Sequence, residues 1–125
     1  MTKLAYDQFP LTVWETVLDN CFATLNQGQF QEAALLFSAH GVVHPPVEEP
    51  IVGRTAIAAY FQSEMPGIRL EPIYRQFHFL EDGQKAKVQV YGRVRLCPFS
   101  TYVVWTFLLN KQGEIESVKV DLMAS

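Results

Sequence analysis

The sequence predicts an α+β roll in which helices at the start of the chain pack on a strongly curved antiparallel sheet. Three observations predict it. Apolar residues recur at helical spacing through the first half. From Ile68 onward the period changes from 3.6 to 2, the mark of strands. Turns rich in glycine and proline divide both halves into short elements, and helices followed by a run of strands make an α+β order. The chain has 125 residues, 49% apolar, 18% charged, with a net charge of −3. That length supports one core, hence one domain over residues 1–125, because two domains would each be too small to bury their own.

Helical signals come first. Pro10 suits a first helical position, where its missing N–H costs nothing. Leu11, Trp14, Leu18, Cys21, Phe22 and Leu25 then form one buried stripe, and Asn26-Gln27-Gly28 stops the helix. A shorter helix carries Phe30, Ala33, Ala34 and Phe37 on its apolar side and ends at Gly41. Val42 to Pro46 reads as an edge strand or rim loop, since two prolines force the chain extended. Residues 48–53 form a solvated loop. A third helix spans residues 55–64, turns Ile57, Tyr60, Phe61 and Met65 inward, and is broken by Pro66-Gly67.

The strands follow. Residues 68–80 make one long or bent strand, and Glu81-Asp82-Gly83 a hairpin turn. In residues 85–96 the alternation is clean, with Ala86, Val88, Val90, Val94 and Leu96 on one face. Residues 97–100 turn the chain into a strand over 101–110, and Lys111-Gln112-Gly113 leads to a last strand over 115–124. The segment Tyr102 to Leu109 is apolar on both faces, so it needs cover on both. Helices cover one, and a second copy of the chain is the expected cover for the other.

Several classes of function are disfavoured. Nucleic acid would want a basic face. No apolar run reaches the ~20 residues of a membrane span, and the first residues do not read as a signal peptide, so a cytoplasmic location is expected. Cys21 and Cys97 are too few for a disulfide scaffold and lack metal-ligand spacing with His40, His44 or His78. Neither a metal nor a catalytic set is expected.

Several stretches carry a resemblance: Leu25-Asn26 with Phe30, Ala34 to Phe37, Pro45-Pro46 with Pro50-Ile51-Val52-Gly53, and Glu81-Asp82-Gly83. Trp105 with Phe107-Leu108-Leu109-Asn110, and Asp121-Leu122 with Ala124-Ser125, extend it. The order of elements resembles the cone-shaped nuclear-transport-factor-2-like (NTF2-like) or ketosteroid-isomerase-like fold. Within it, these stretches resemble the carotenoid-binding C-terminal domain of the orange carotenoid protein and its free-standing homologues, a cyanobacterial group. The resemblance implies non-enzymatic binding of an apolar small molecule, a keto-carotenoid, in the cone, to which the two-faced strand adds the expectation of a homodimer through the sheet face. In that family a tyrosine on the first helix and a tryptophan on the penultimate strand donate hydrogen bonds to the ligand carbonyl. Trp105 falls on the tryptophan. Cys21 falls on the tyrosine, and its thiol is only a weak donor. Leu70 and Val120 match pocket-lining positions, Leu25, Leu96 and Val118 are core-facing candidates beside them, and Pro45, Pro46 and Val47 would form the rim.

Two other readings stay open. An isomerase or cyclase would use His44 as base, although residues 84–112 contain no Asp or Glu to supply a second acid. Asp19 and Asp121 fall off the apolar faces and read as solvated. An assembly adaptor would fill the cone with its own side chains.

Overall fold

The computed structural model describes residues 2–123, with side chains from Leu11 onward. Three helices are interleaved with the first strands: α1 (Thr2–Asn26), α2 (Phe30–Leu35), β1 (Phe37–His44), β2 (Ile51–Val52) and α3 (Arg54–Glu64). Four strands follow: β3 (Arg69–Leu80), β4 (Lys85–Leu96), β5 (Phe99–Leu109) and β6 (Ile115–Leu122). They form a six-stranded sheet in the order β2-β1-β6-β5-β4-β3. Every neighbouring pair is antiparallel except β1 with β6, which run parallel. Irregularities between Phe37 and Val42, Pro72 and Tyr74, and Leu108 and Leu109 interrupt the ladders. Such bulges bend strands and let a sheet curl. Pro72 lies on the edge strand, where a missing ladder N–H is tolerated.

The helical stripe of α1 is buried as its spacing predicts, with Trp14, Leu18, Cys21, Phe22 and Leu25 all in the core and Val17 beside them. Two expectations change. The helix runs through Pro10 from Thr2, so Pro10 does not open it. Gly41 does not end a helix either. After the short α2, Phe37 to His44 is strand, because Phe37 and the residues from Val42 onward find parallel partners on β6. A Cβ at Gly41 would fall 2.8 Å from the Phe37 Cβ, so the bulge there requires glycine. The last strand ends at Leu122; its expected extension to residue 124 lies outside the described residues.

Polar ties hold α1 across the sheet. The Asn26 amide donates to the Leu70 carbonyl at 2.9 Å and accepts from the Leu70 N–H at 2.8 Å. Near the middle of the helix, Trp14 Nε1 donates to the Asn110 carbonyl at 2.8 Å. Asn110 Oδ1 in turn accepts from the Gln112 and Glu114 amides, fixing the turn into β6. Arg54 Nε donates to the Phe37 carbonyl at 2.8 Å, tying α3 to β1.

On β5, Val103, Trp105, Phe107 and Leu109 face the helices and are buried. The opposite face carries half-buried Val104, Thr106 and Leu108, with Tyr102 exposed at its end. Among the described residues, no helix is long and apolar enough to cross a membrane.

Replacing Asn26 with alanine leaves both backbone groups of Leu70 without their partner. The expected cost is about 1–3 kcal/mol of unfolding free energy, read as a lower urea midpoint at unchanged slope. An unaltered midpoint would remove this tie from the account.

Candidate functional site

The two ties of α1 bracket a hollow. Between α1, α3 and the concave face of the sheet lies a cavity of about 220 Å³. Cys21, Phe22 and Leu25 form its α1 wall, and Tyr60, Phe61 and Met65 its α3 wall. The sheet contributes Val43, Leu70, Val94, Val103, Trp105, Phe107, Val118 and Val120. These side chains converge because period-two alternation sends residues 103, 105 and 107 of β5, and 118 and 120 of β6, to one face. Pro45, Pro46, Ile68, Thr101 and Leu122 surround the end that reaches the surface. Among the described lining residues there is no Asp, Glu, His, Lys or Arg.

Of the residues expected to contact a ligand, Trp105, Cys21, Leu25, Pro46, Leu70, Val118 and Val120 line this cavity. Val47 and Leu96 do not. Val47 adopts φ 54°, which turns its side chain fully into solvent. Leu96 has the inward parity, but β4 outruns the cavity wall there and leaves it 51% exposed beside Gly67. The sequence had placed Tyr60, Phe61 and Met65 inward without assigning them to a pocket. Phe37, Val43, Thr101, Val103, Phe107 and Leu122 also line it. For Thr101, Val103 and Phe107, parity with Trp105 is the signal that finds them.

Trp105 is the chief polar fixture. It is 5% exposed, and its ring meets Phe22 edge-on with centroids 4.9 Å apart at 70°. Gly92 on the neighbouring strand makes room for it, since a Cβ there would fall 2.8 Å from Trp105 Cζ3. The two tryptophans differ in what their N–H groups do. Trp14 donates to Asn110. Among the described residues, the Trp105 N–H has no protein acceptor and is not fully buried, and the residue lines the cavity.

Cys21 presents a neutral thiol. Burial pushes its pKa from 9.0 up to about 12, because a thiolate in an apolar wall would be desolvated. His44 does not line the cavity; it sits opposite Lys119 in the β1–β6 register, on the parity of Val42 rather than of inward Val43. Asp19 is exposed and paired with Arg75 at 2.9 Å, and Asp121 is exposed beside Lys119. Among the described residues, no cluster of three His, Cys, Asp or Glu side chains can hold a metal.

Comparison with known proteins follows the same lines. The model of the family described as the Nuclear transport factor 2 (NTF2) domain matches residues 13–121. The orange carotenoid-binding protein of Synechocystis sp. is 35% identical over 114 residues, which is 88% of this chain and 35% of that protein. Its counterpart from Limnospira maxima is 32% identical over 105 residues, 81% of this chain and 33% of the other. The chain thus spans about a third of the length of these curated relatives. The structure of the Anabaena (Nostoc) sp. PCC 7120 orange carotenoid protein binding canthaxanthin superposes with a TM-score of 0.82 at 34% identity, over 87% of this chain and 36% of that one. The epoxide hydrolase/cyclase-like enzyme SalBIII superposes with a TM-score of 0.70 at 19% identity, over 93% and 94%, a likeness of fold alone.

The two cysteines should separate cleanly by reactivity. Cys97 is exposed and Cys21 buried, and with a pKa of about 12 only about one Cys21 in 10,000 is ionised at pH 8. A thiol-reactive dye at pH 8 is expected to label one cysteine per native chain and both in denaturant. Fast labelling of both in the native state would contradict the burial. The raised pKa also sets a sign: above about pH 9 the unfolded thiol ionises and the folded one does not, so stability falls as pH rises.

Proposed function

The chain belongs to the NTF2 domain family, and from that premise we propose that it binds an apolar small molecule bearing a carbonyl, a keto-carotenoid, in its cavity. One observation carries the reading: a tryptophan whose N–H has no protein acceptor lines a cavity whose other walls are almost wholly apolar. An indole N–H only donates, so its natural complement is an acceptor such as a ring ketone. Apolar burial, at about 25 cal/mol per Å², supplies the bulk of the affinity, and the hydrogen bond fixes orientation. The relatives add support, since two are named as carotenoid-binding and one solved structure holds canthaxanthin.

Size sets how such a molecule would sit. The cavity, at about 220 Å³, is below the ~300–1,000 Å³ typical of pockets that enclose a drug-sized ligand. It suits the terminal ring of a long molecule, with the polyene leaving through the mouth past exposed Val47, Leu96, Phe99 and Leu122. In this reading Val47 and Leu96 act on the emerging chain and Cys21, Leu25, Pro46, Leu70, Val118 and Val120 on the ring. The protein acts as a carrier or in photoprotection, without turnover, and works as a homodimer through the outer sheet face. Half-buried Val104 and Leu108 with exposed Tyr102 support that face.

Mixing the purified chain with canthaxanthin is expected to give a coloured complex with a shifted visible band that co-elutes with the protein. A colourless protein fraction would overturn the reading. Trp105→Phe keeps an aromatic wall but deletes the donor, so the dissociation constant should rise about five- to tenfold. For the homodimer, Val104→Glu should move the species seen by sedimentation velocity from dimer to monomer. A wild-type chain that sediments as a monomer rules the dimer out.

A further inference from the structure

A second polar residue of the cavity wall, Tyr60, has a hydroxyl that the protein leaves unpaired. Tyr60 stands on α3 between two buried positions of that helix, Ile57 and Phe61, and its half-buried ring lines the cavity. Among the described residues its hydroxyl makes no hydrogen bond, and it is not sealed off. Glu48, in the loop that follows Pro45 and Pro46, and Glu64, one turn further along α3, both lie near enough to disfavour its ionisation. Tyr60 is only half-buried, while Trp105 on β5 is nearly fully buried. Burial raises the Tyr60 pKa first, then Glu48, then Glu64, so the phenol stays an intact O–H donor at neutral pH.

These two groups make unequal demands. The indole N–H is satisfied by one acceptor. The phenol can donate and accept, and in the empty protein water serves it. A ligand that enters past the α3 wall displaces that water. If its head offers only a carbonyl to Trp105, the Tyr60 hydroxyl is stranded against hydrocarbon, at the cost of an unmade hydrogen bond. If the head bears a second oxygen, both walls are satisfied. Cys21 cannot take this part, because a buried thiol is too weak a donor.

We propose that Tyr60 is a specificity-determining contact that favours ligands whose buried end carries two oxygen functions, a carbonyl for Trp105 and a hydroxyl or second carbonyl for Tyr60. The proposal rests on the reading of the cavity given above and names the ligand's head group more closely.

Two probes with the same polyene test it: canthaxanthin, whose end ring bears a ketone alone, and astaxanthin, whose ring adds a hydroxyl next to the ketone. Dissociation constants come from visible-absorption titration of the full chain and of Tyr60→Phe, which keeps the ring and loses only the oxygen. The wild-type chain should prefer astaxanthin by about fivefold, the ratio expected of one hydrogen bond. In Tyr60→Phe that preference should fall to about one, chiefly through weaker astaxanthin binding. The ratio is its own control, because a merely structural loss weakens both probes alike. If canthaxanthin binds and the ratio is the same in both proteins, this inference falls and the reading of the cavity stands. If the wild-type chain binds neither probe, both fall.

Discussion

The hollow lies beneath the stretch of α1 that is tied to the sheet at Trp14, near the middle of the helix, and at Asn26, in its last turn, with the Asp19–Arg75 ion pair between them. Trp14 ties the middle of the helix to the turn between β5 and β6, and Asn26 ties its last turn to the start of β3. Protein interiors otherwise close to crystal-like packing, and a void forfeits contacts on every side it touches. Within that stretch Phe22 already meets Trp105 and Phe107 of β5 edge-on, with centroids 4.9 and 5.8 Å apart. Both ties use backbone carbonyls, whose positions are set by the sheet itself. The closed end is packed instead, with Ala33, Ala34, Phe37, Ile57, Leu109 and Ile115 all buried.

The two tryptophans show how one residue type serves frame and site. Trp14 uses its N–H for the frame. Trp105 is denied a protein acceptor because its neighbours on the cavity wall are Phe22, Val103, Phe107 and Val120. Its position depends on an atom that is missing from another strand. At Gly92 a Cβ would press on Trp105 Cζ3 and also approach the Glu71 carbonyl and the Pro72 Cα. The glycine therefore lets β3 and β5 both crowd β4 at one point, next to the β3 bulge.

Much of this was legible in the sequence, and the rest was hidden for identifiable reasons. The α1 stripe and the β4 alternation are local patterns, and both were read correctly from spacing. Phe30, Ala33, Ala34 and Phe37 also fit a helix, and local spacing could not reveal that Phe37 pairs with Ile115 far along the chain. The resemblance singled out Trp105 and Val120, and strand parity agrees with it, since both take the inward face with Val118. The β4 alternation selected Leu96, because parity says which face a residue takes and not where the opposite wall stops. Periodicity turned Tyr60, Phe61 and Met65 inward, yet a pattern cannot tell an inward side chain that meets a neighbour from one that meets space. The rotation of Val47 out of the rim follows from a positive φ that valine rarely adopts.

The chemistry of the walls then limits what the cavity does with a carbonyl. Enolisation needs a donor at the oxygen and a base at the carbon. The described lining supplies donors at Trp105 and Tyr60, a neutral thiol at Cys21 and a hydroxyl at Thr101. Burial raises the thiol and the phenol alike, so neither becomes an anion able to take a proton near neutral pH. Every polar group at the cavity is thus held in the state that gives a hydrogen bond. Such walls offer donors of the kind the proposed ligand's ketone would need, and the desolvation that raises the Cys21 thiol and the Tyr60 phenol keeps both protonated.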